Sequence, residues 1–145
     1  MIFSKTCEYG IRATIYIARQ SMNDTRSSLK DISKKIGSPE AFTAKILQTL
    51  VKNGIITSVK GAQGGFMITP KRVKKIKLAD IVYAIDGESI SKMCVLGLKK
   101  CSEVNPCPVH NQYKFIKKDL LAMVQKTGLL EMSDSINEGR TCLKV

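Results

Sequence analysis

The sequence predicts a mostly α-helical fold with a small β-hairpin wing: a winged helix-turn-helix followed by a long C-terminal dimerisation helix. Three observations lead to this prediction. Two short helical segments meet at Gly37, two β-type runs flank a glycine-rich turn at 61–65, and a helical apolar stripe extends over 111–127. With 145 residues the chain is long enough for one domain-sized core but too short for two full domains.

The first two helices are indicated by their end signals. Ser4 can cap a helix whose apolar residues recur at helical spacing, and this helix is expected to end near Ser21. Ser28 and Asp31 have the spacing of a capping box, in which the serine side chain accepts a backbone N–H and the carboxylate reaches back. Gly37 then provides the left-handed residue that commonly ends a helix. The sequence thus predicts one long and one short helix before residue 38.

A third helix is predicted directly after Gly37. Ser38 is interpreted as its cap, Pro39 as its first residue and Asn53-Gly54 as its terminator. Two helices joined by so short a turn are typical of a helix-turn-helix, in which the second helix presents its N-terminal turn to the major groove of DNA. The DNA-binding residues predicted on this helix are Ser38, Pro39, Glu40, Thr43, Lys45 and Lys52.

A β-hairpin is predicted next, from two β-type runs at 55–60 and 66–69. The turn between them reads Gly61-Ala62-Gln63-Gly64-Gly65, and its glycines permit positive φ angles. Such a hairpin can enter a minor groove as a wing, with Lys60, Gly61, Gln63 and Gly64 as its predicted DNA contacts. An ordinary hairpin turn is the alternative. A nucleotide-binding loop is excluded because no Lys-Ser/Thr pair follows the glycines.

The distribution of charge favours a nucleic-acid partner. The chain has 24 Lys and Arg against 12 Asp and Glu, a net charge of +12. Residues 26–77 hold 12 of the basic residues but only two acidic ones. A block of this kind is the expected footprint of phosphate binding by double-stranded DNA, whereas a merely solubilising surface more often mixes both signs.

The remaining chain contains two further helix signals. Residues 71–77 form a charge run that we expect to be a linker, and residues 78–86 should form a short helix ended by Gly87. The longer helix at 111–127 carries an apolar stripe and should end at Gly128. Core packing could account for this stripe, but the interpretation preferred here is a contact with a second subunit.

Three cysteines lie in the connection between these helices, with the spacing Cys94-x6-Cys101-x5-Cys107, and His110 follows shortly after. Three thiolates and one imidazole could bind zinc or ligate an iron–sulfur cluster. Three unrelated loop thiols are the third alternative. The other two cysteines are expected to have no ligand role: Cys7 as a small buried hydrophobe on the first helix and Cys142 as an exposed thiol.

The order of these parts resembles the bacterial winged-helix regulator family that includes the iron–sulfur regulator IscR, the nitric-oxide sensor NsrR and the cysteine-metabolism regulator CymR. The resemblance implies a homodimeric transcription factor whose long C-terminal helices cross and whose cysteine loop lies beside the partner subunit. It covers residues 3–18, 29–33, 50–56, 58–66 and 81–86 and the three-cysteine loop.

The resemblance also implies an iron–sulfur cluster on the three cysteines, with [2Fe–2S] preferred to [4Fe–4S] and zinc or no metal as alternatives. For the fourth ligand it offers His110 in the same loop, which we prefer, and Glu8, where some NsrR-like relatives place an acidic ligand from the partner's first helix. The chain departs from the family in two ways. Six residues instead of five separate the first two cysteines, and Ala41 and Ala44 replace a polar pair of the recognition helix, so the operator cannot be inferred.

The sequence therefore predicts a cytoplasmic DNA-binding repressor whose DNA affinity is switched by an iron–sulfur cluster or by the thiol state of the cysteine loop. Its expected parts are a winged helix-turn-helix domain at 1–86, a cysteine-rich sensor loop at 87–110, and a dimerisation helix with a tail at 111–145. The alternative is a basic, zinc-stapled nucleic-acid-binding or assembly module. No paired carboxylates or nucleophile–base pair point to an enzyme, and no apolar run of about 18 residues points to a membrane.

Overall fold

The structure, a computed structural model, describes residues 2–144 and is mostly helical with one two-stranded antiparallel sheet, which confirms the predicted fold class. In chain order the elements are α1 (Lys5–Met22), α2 (Leu29–Ile36), α3 (Glu40–Lys52), β1 (Thr57–Val59), β2 (Gly65–Met67), α4 (Pro70–Lys75), α5 (Leu78–Asp86), α6 (Ser89–Lys92), α7 (His110–Lys126) and α8 (Leu129–Asn137).

The first helix begins at the predicted cap and is tied to a distant part of the chain. The Ser4 side chain accepts a hydrogen bond from the backbone N–H of Cys7 at 3.0 Å. The backbone N–H of Ser4 donates to the carboxylate of Asp86 at 2.9 Å, and the Ser4 hydroxyl donates to the same carboxylate. The start of α1 is therefore fixed to the end of α5.

The helix-turn-helix forms as predicted, with one correction at its second helix. Gly37 ends α2 in the left-handed conformation with φ 71°. The cap of α3 is Pro39, not Ser38, because both the backbone N–H and the hydroxyl of Thr43 donate to the Pro39 carbonyl at 2.9 Å. Ser38 is buried, and its hydroxyl has no hydrogen-bond partner among the described residues.

The wing is shorter than the predicted strands but has the expected turn. Thr57 pairs with Met67 and Val59 with Gly65, and the N–H of Gly64 donates to the Gly61 carbonyl at 2.9 Å across the turn. At Gly65, φ is 138° and a Cβ atom would lie 2.8 Å from the Ser27 carbonyl oxygen. Glycine is therefore required where the wing packs against the α1–α2 connection.

Three helices were not predicted. The charge run at 71–77 is largely α4 and not a linker, because Thr69 caps it and Pro70 occupies its first position. The four-residue α6 precedes the cysteine loop. Gly128 follows α7, as predicted, but it is also the N-cap of α8, so the tail continues as a helix.

The core surrounds α1, which packs against α2, α3, α5 and α8. It is built mainly of buried isoleucine and leucine side chains, among them Ile17, Ile32, Leu47 and Ile81. Leu129 of α8 is fully buried in this same core. The division at 1–86, 87–110 and 111–145 stays a prediction, but part of the last segment completes the core of the first.

The long helix α7 has the predicted length and two different faces. Val124 is fully buried and Leu120 and Leu121 pack in a second core cluster with α5 and α6. On the other side, Phe115 and Ile116 are 68% and 61% exposed. Between residues 2 and 144, no helix combines the length and apolar character needed to cross a bilayer.

Candidate metal centre and nucleic-acid interface

The cysteine loop at 93–109 is shaped by three tight turns. The N–H of Gly97 donates to the Cys94 carbonyl at 2.9 Å, that of Cys101 to the Leu98 carbonyl at 3.2 Å, and that of His110 to the Cys107 carbonyl at 3.0 Å. Gly97 has φ 71°, a conformation that glycine adopts without strain. Each turn has one cysteine as its first or last residue. Because the chain reverses direction at these turns, the three thiols can approach one another.

The three thiols form one compact group of metal-binding donors. The Sγ atoms of Cys94, Cys101 and Cys107 all lie within 4.8 Å of one another. The Cys94 and Cys107 sulfurs are 3.7 Å apart, and the Cys101 sulfur is 3.2 Å from Nδ1 of His110. All three cysteines are free thiols and half-buried. The donors therefore occur as two close pairs, one of two thiols and one of a thiol and an imidazole.

The protonation of these thiols follows from their surroundings. Hydrogen bonding from the Leu98 backbone lowers the pKa of Cys94 to about 7, so about half of this thiol is ionised at neutral pH. A backbone hydrogen bond from Cys107 acts to lower the pKa of Cys101, but desolvation and the neighbouring thiols together raise it. By contrast, burial and the Asp86 carboxylate raise the pKa of Cys7 to about 12.

His110 stands at the first position of α7 with its side chain only 13% exposed. Its Nε2 atom, on the side away from Cys101, is buried and lies 3.4 Å from Oε1 of Glu103, outside good hydrogen-bond geometry. Glu103 also pairs with Lys114 at 3.3 Å. His110 first and Lys114 second lower the pKa of the Glu103 carboxyl.

A small cavity of about 60 Å³ lies against the donors. Besides the cysteines and His110, its lining includes Lys92, Lys114 and Lys117. Lys117 also donates to the Met93 carbonyl at 3.2 Å, which connects α7 to the start of the loop. Lys92 pairs with Glu88 and Lys114 with Glu103, so Lys117 is the lining lysine without a carboxylate partner among the described residues, and its positive charge favours the negative charge that thiolate ligation would bring.

The two predicted candidates for a fourth ligand lie in different places. His110 is beside the thiols, whereas Glu8 is on the first turn of α1, where its half-buried carboxylate pairs with Lys5 at 3.2 Å. The group of donors within one chain does not include Glu8. As the sequence predicted, Cys7 is fully buried and Cys142 is exposed.

The sequence did not single out Glu103 or Lys114. One signal was available for Glu103, because it is the only acidic residue between Glu88 and Asp119 and it lies inside the cysteine loop. Lys114 follows His110 by four residues on α7, which places both on one face of the helix.

The predicted DNA-binding residues are mostly on the surface. Ser38 and Thr43 are the exceptions, because both are buried and the Thr43 hydroxyl is used inside α3. Gly64 is half-buried, and a Cβ atom there would lie 2.2 Å from the Val59 carbonyl oxygen, so it has a conformational role in the turn. The exposed candidates are Pro39, Glu40, Lys45, Lys52, Lys60, Gly61 and Gln63.

Two arginines of the basic block hold the wing and the turn before it. Nη1 of Arg26 donates to the Gln63 carbonyl at 2.7 Å, and Nη2 of Arg72 donates to the Gly54 carbonyl at 2.6 Å. Because these contacts use backbone acceptors, the Gln63 side chain at the tip stays exposed. The arginines thus hold the backbone of the wing and of the preceding turn, while the side chain at the wing tip is free to contact DNA.

Comparisons with known proteins agree with this arrangement. A curated protein of Aquifex aeolicus that carries the name of an HTH-type transcriptional regulator is 34% identical over 134 residues, which are 91% of each chain. The transcriptional regulator IscR of Photorhabdus laumondii is 25% identical, over 86% of this chain and 74% of that protein. The solved structure of CymR, the global cysteine regulator of B. subtilis, has the same fold, with a TM-score of 0.73 at 22% identity over 91% of this chain and 95% of that one. The family model of Rrf2, described as an iron-dependent transcriptional regulator, matches residues 3–135, and the chain therefore belongs to the Rrf2 family of transcriptional regulators.

Proposed function

We propose that this Rrf2-family regulator is a homodimer that binds double-stranded DNA sequence-specifically and acts as a repressor, and that an iron–sulfur cluster on Cys94, Cys101 and Cys107 sets its DNA affinity. The observation that carries the proposal is the approach of three thiols to within 4.8 Å of one another on a loop joined directly to α7. Two further features support it: an exposed helix-turn-helix and wing that can contact DNA, and packed helices that connect the cysteine loop to them.

The donor set fits an iron–sulfur cluster. Thiolates are the soft ligands that iron–sulfur clusters require, and an imidazole in place of one thiolate raises the reduction potential. Cys94, Cys101 and Cys107 would hold the cluster together with His110, with Glu8 of a second subunit as the alternative fourth ligand. When bound, the cluster would supply one-electron redox chemistry and sensitivity to oxidants or nitric oxide. Lys117 in the lining of the cavity favours an anionic group there.

The fold offers a mechanical connection from the loop to the DNA-binding surface. The loop ends at His110, the first residue of α7, and α7 packs against α5. In turn, α5 packs against both α1 and the recognition helix α3. A change in the loop can alter DNA affinity only if the loop makes different contacts with and without its cluster. The packed helices α7, α5 and α3 are where those contacts would differ.

A homodimer is supported by the apolar surface that a single chain leaves uncovered. On α7, Phe115, Ile116 and Met123 are exposed, and the cysteine loop adds further apolar side chains. A second copy would bury these surfaces and would place two recognition helices for a pseudo-palindromic site, about 34–36 Å apart on the DNA. The exposed apolar residues of the loop are Val95, Leu96, Leu98 and Val104.

The proposal is tested by purifying the protein anaerobically and reconstituting it with iron and sulfide. A binding site is selected from random duplex DNA, and its affinity is then measured by fluorescence anisotropy with loaded and metal-free protein. We expect visible charge-transfer absorbance and different affinities in the two states. The Cys94, Cys101, Cys107→Ala triple variant should dimerise and bind DNA but ignore nitric oxide. Equal affinity with and without the cluster would contradict the switch while leaving DNA binding intact.

A single zinc ion is the second candidate for this site. Sulfur atoms bound to one zinc at about 2.3 Å are about 3.8 Å apart in a tetrahedral site, and the Cys94–Cys107 distance of 3.7 Å agrees with that value. In that case the loop would be a structural staple without a switch. A colourless protein that contains one zinc per chain, and whose DNA affinity is insensitive to oxidant, would favour this candidate.

A further inference from the structure

The unexplained feature of the cysteine loop is the buried nitrogen of His110 that faces away from the thiols. Nδ1 is beside the Cys101 sulfur at 3.2 Å, so Nε2 is on the opposite side of the ring. There it is buried and lacks a hydrogen-bond partner of good geometry among the described residues. A buried donor without an acceptor costs about 1–3 kcal/mol, so the fold is expected to provide an acceptor.

Glu103 is the acceptor within reach. Its Oε1 lies 3.4 Å from Nε2 of His110, and it is the one carboxylate in the lining of the cavity next to the donors. The charged neighbours on α7 are Lys114 and Lys117, which can only donate. A movement of a few tenths of an ångström by the mostly exposed Glu103 side chain would complete the hydrogen bond.

Lys114 keeps Glu103 in place. Its Nζ is 3.3 Å from the same carboxylate oxygen that faces His110. Because Lys114 is four residues after His110 on α7, both side chains lie on one face of the helix, and Glu103 of the loop spans them. The carboxylate is thus held over the imidazole by a second contact that does not involve the thiols.

We propose that Glu103 is a positioning residue, whose carboxylate accepts the Nε2–H of His110 and thereby keeps Nδ1 directed at Cys101 as the fourth donor. A carboxylate behind a metal-binding histidine fixes its tautomer and ring orientation and makes it a better ligand. The inference rests on the proposed function, since it concerns the same site. It goes further by assigning which nitrogen of His110 binds and what selects it.

The chain is well suited to a direct test because His110 is its only histidine. Protein labelled with ¹⁵N in the imidazole ring therefore gives the signals of one ring in an NMR spectrum. In metal-free, reduced protein at pH 8.5, we expect an Nε2–H proton signal protected from exchange with water. Glu103→Leu should lose this signal, whereas Glu103→Gln should retain it, because the amide oxygen still accepts. Lys114→Leu removes the contact that holds Glu103 in place, so it should weaken the protection of this signal without abolishing it. Lys99→Leu, on the same loop but outside the lining of the cavity, is the matched control and should retain the signal.

Zinc affinity, measured by competition with a chromogenic chelator, provides a second readout. Loss of a carboxylate behind a metal-binding histidine typically weakens metal binding by about 10–100-fold. We expect a loss of at least about tenfold for Glu103→Leu and a smaller one for Glu103→Gln, with the fold of each variant verified by circular dichroism. An unchanged Nε2–H signal in a folded Glu103→Leu protein, or a ring protonated on Nδ1 in the wild type, would overturn the assignment. A wild type that shows the signal but takes up neither iron–sulfur cluster nor zinc would refute the proposed function instead.

Discussion

Lys60 offers a quantitative test of the wing as a DNA-binding element. Its ammonium group follows β1 at the start of the wing turn, is exposed, and makes no ion pair within residues 2–144. Each phosphate contact of a protein lowers the slope of log affinity against log salt by about 0.9. The proposed dimer would have two wings, so Lys60→Ala should reduce the magnitude of the slope by about 1.8.

This change is large enough to measure. Between 50 and 200 mM salt, a slope difference of about 1.8 makes the affinity of the variant fall about 12-fold less than that of the wild type. Fluorescence anisotropy over four or five salt concentrations gives both slopes. Lys99→Ala is the matched control, since it removes one exposed positive charge from the cysteine loop and should leave the slope unchanged. If Lys60→Ala leaves the slope unchanged, or Lys99→Ala lowers it equally, the assignment of the wing to the DNA interface is wrong.

Three further predictions concern the thiols and the fold. In metal-free protein at pH 7, iodoacetamide should modify Cys94, whose pKa is about 7, while buried Cys7, whose pKa is about 12, stays unmodified. Well below pH 7 the rate at Cys94 should fall about tenfold per pH unit as the thiolate is protonated, and peptide mapping showing equal labelling of both residues would contradict this. Gly65→Ala should destabilise the protein by about 1–3 kcal/mol in urea unfolding, because φ is 138° and a carbonyl oxygen lies 2.8 Å from the new Cβ. Gly139→Ala, at φ 74° but in open space, should cost less, and the reverse order would refute the steric argument. Leu129→Ala should cost about 2–5 kcal/mol, since its side chain is fully buried in the main core, and a loss below about 1 kcal/mol would show that α8 is only loosely attached.

The sequence predicted those elements best whose ends carry their own signals. Ser4 and Ser28 cap α1 and α2, and Gly37 ends α2, so local chemistry fixes these boundaries. At α3 the same reasoning chose Ser38 as the cap. Pro39 is the cap because Thr43, one turn later, donates two hydrogen bonds to its carbonyl. The Ser-Pro pair alone gives no indication of these contacts.

Two of the three unpredicted helices, α4 and α8, were missed because their signals have more than one meaning. The run at 71–77 is so rich in charge that its two buried residues, Val73 and Ile76, were too few to reveal a helical pattern. Gly128 was interpreted only as a stop, although the same residue also caps α8. For the site, the density of cysteines in one loop favoured a shared site over three unrelated thiols, and the structure brings the three sulfurs together. The role of Glu103 depends on how the loop folds over α7, which spacing does not reveal.

The return of α8 to the core also has a consequence for synthesis and folding. The backbone N–H of Leu78 donates to the Thr127 carbonyl, and that of Leu129 donates to the Ile76 carbonyl, both at 2.9 Å. The two ends of the segment 78–127 therefore lie side by side, and α8 follows directly from this point. A chain emerging from the ribosome therefore cannot complete the packing of α1 until the cysteine loop and α7 have already been made. No nascent fragment with a finished core around α1 but without the cysteine loop can therefore arise.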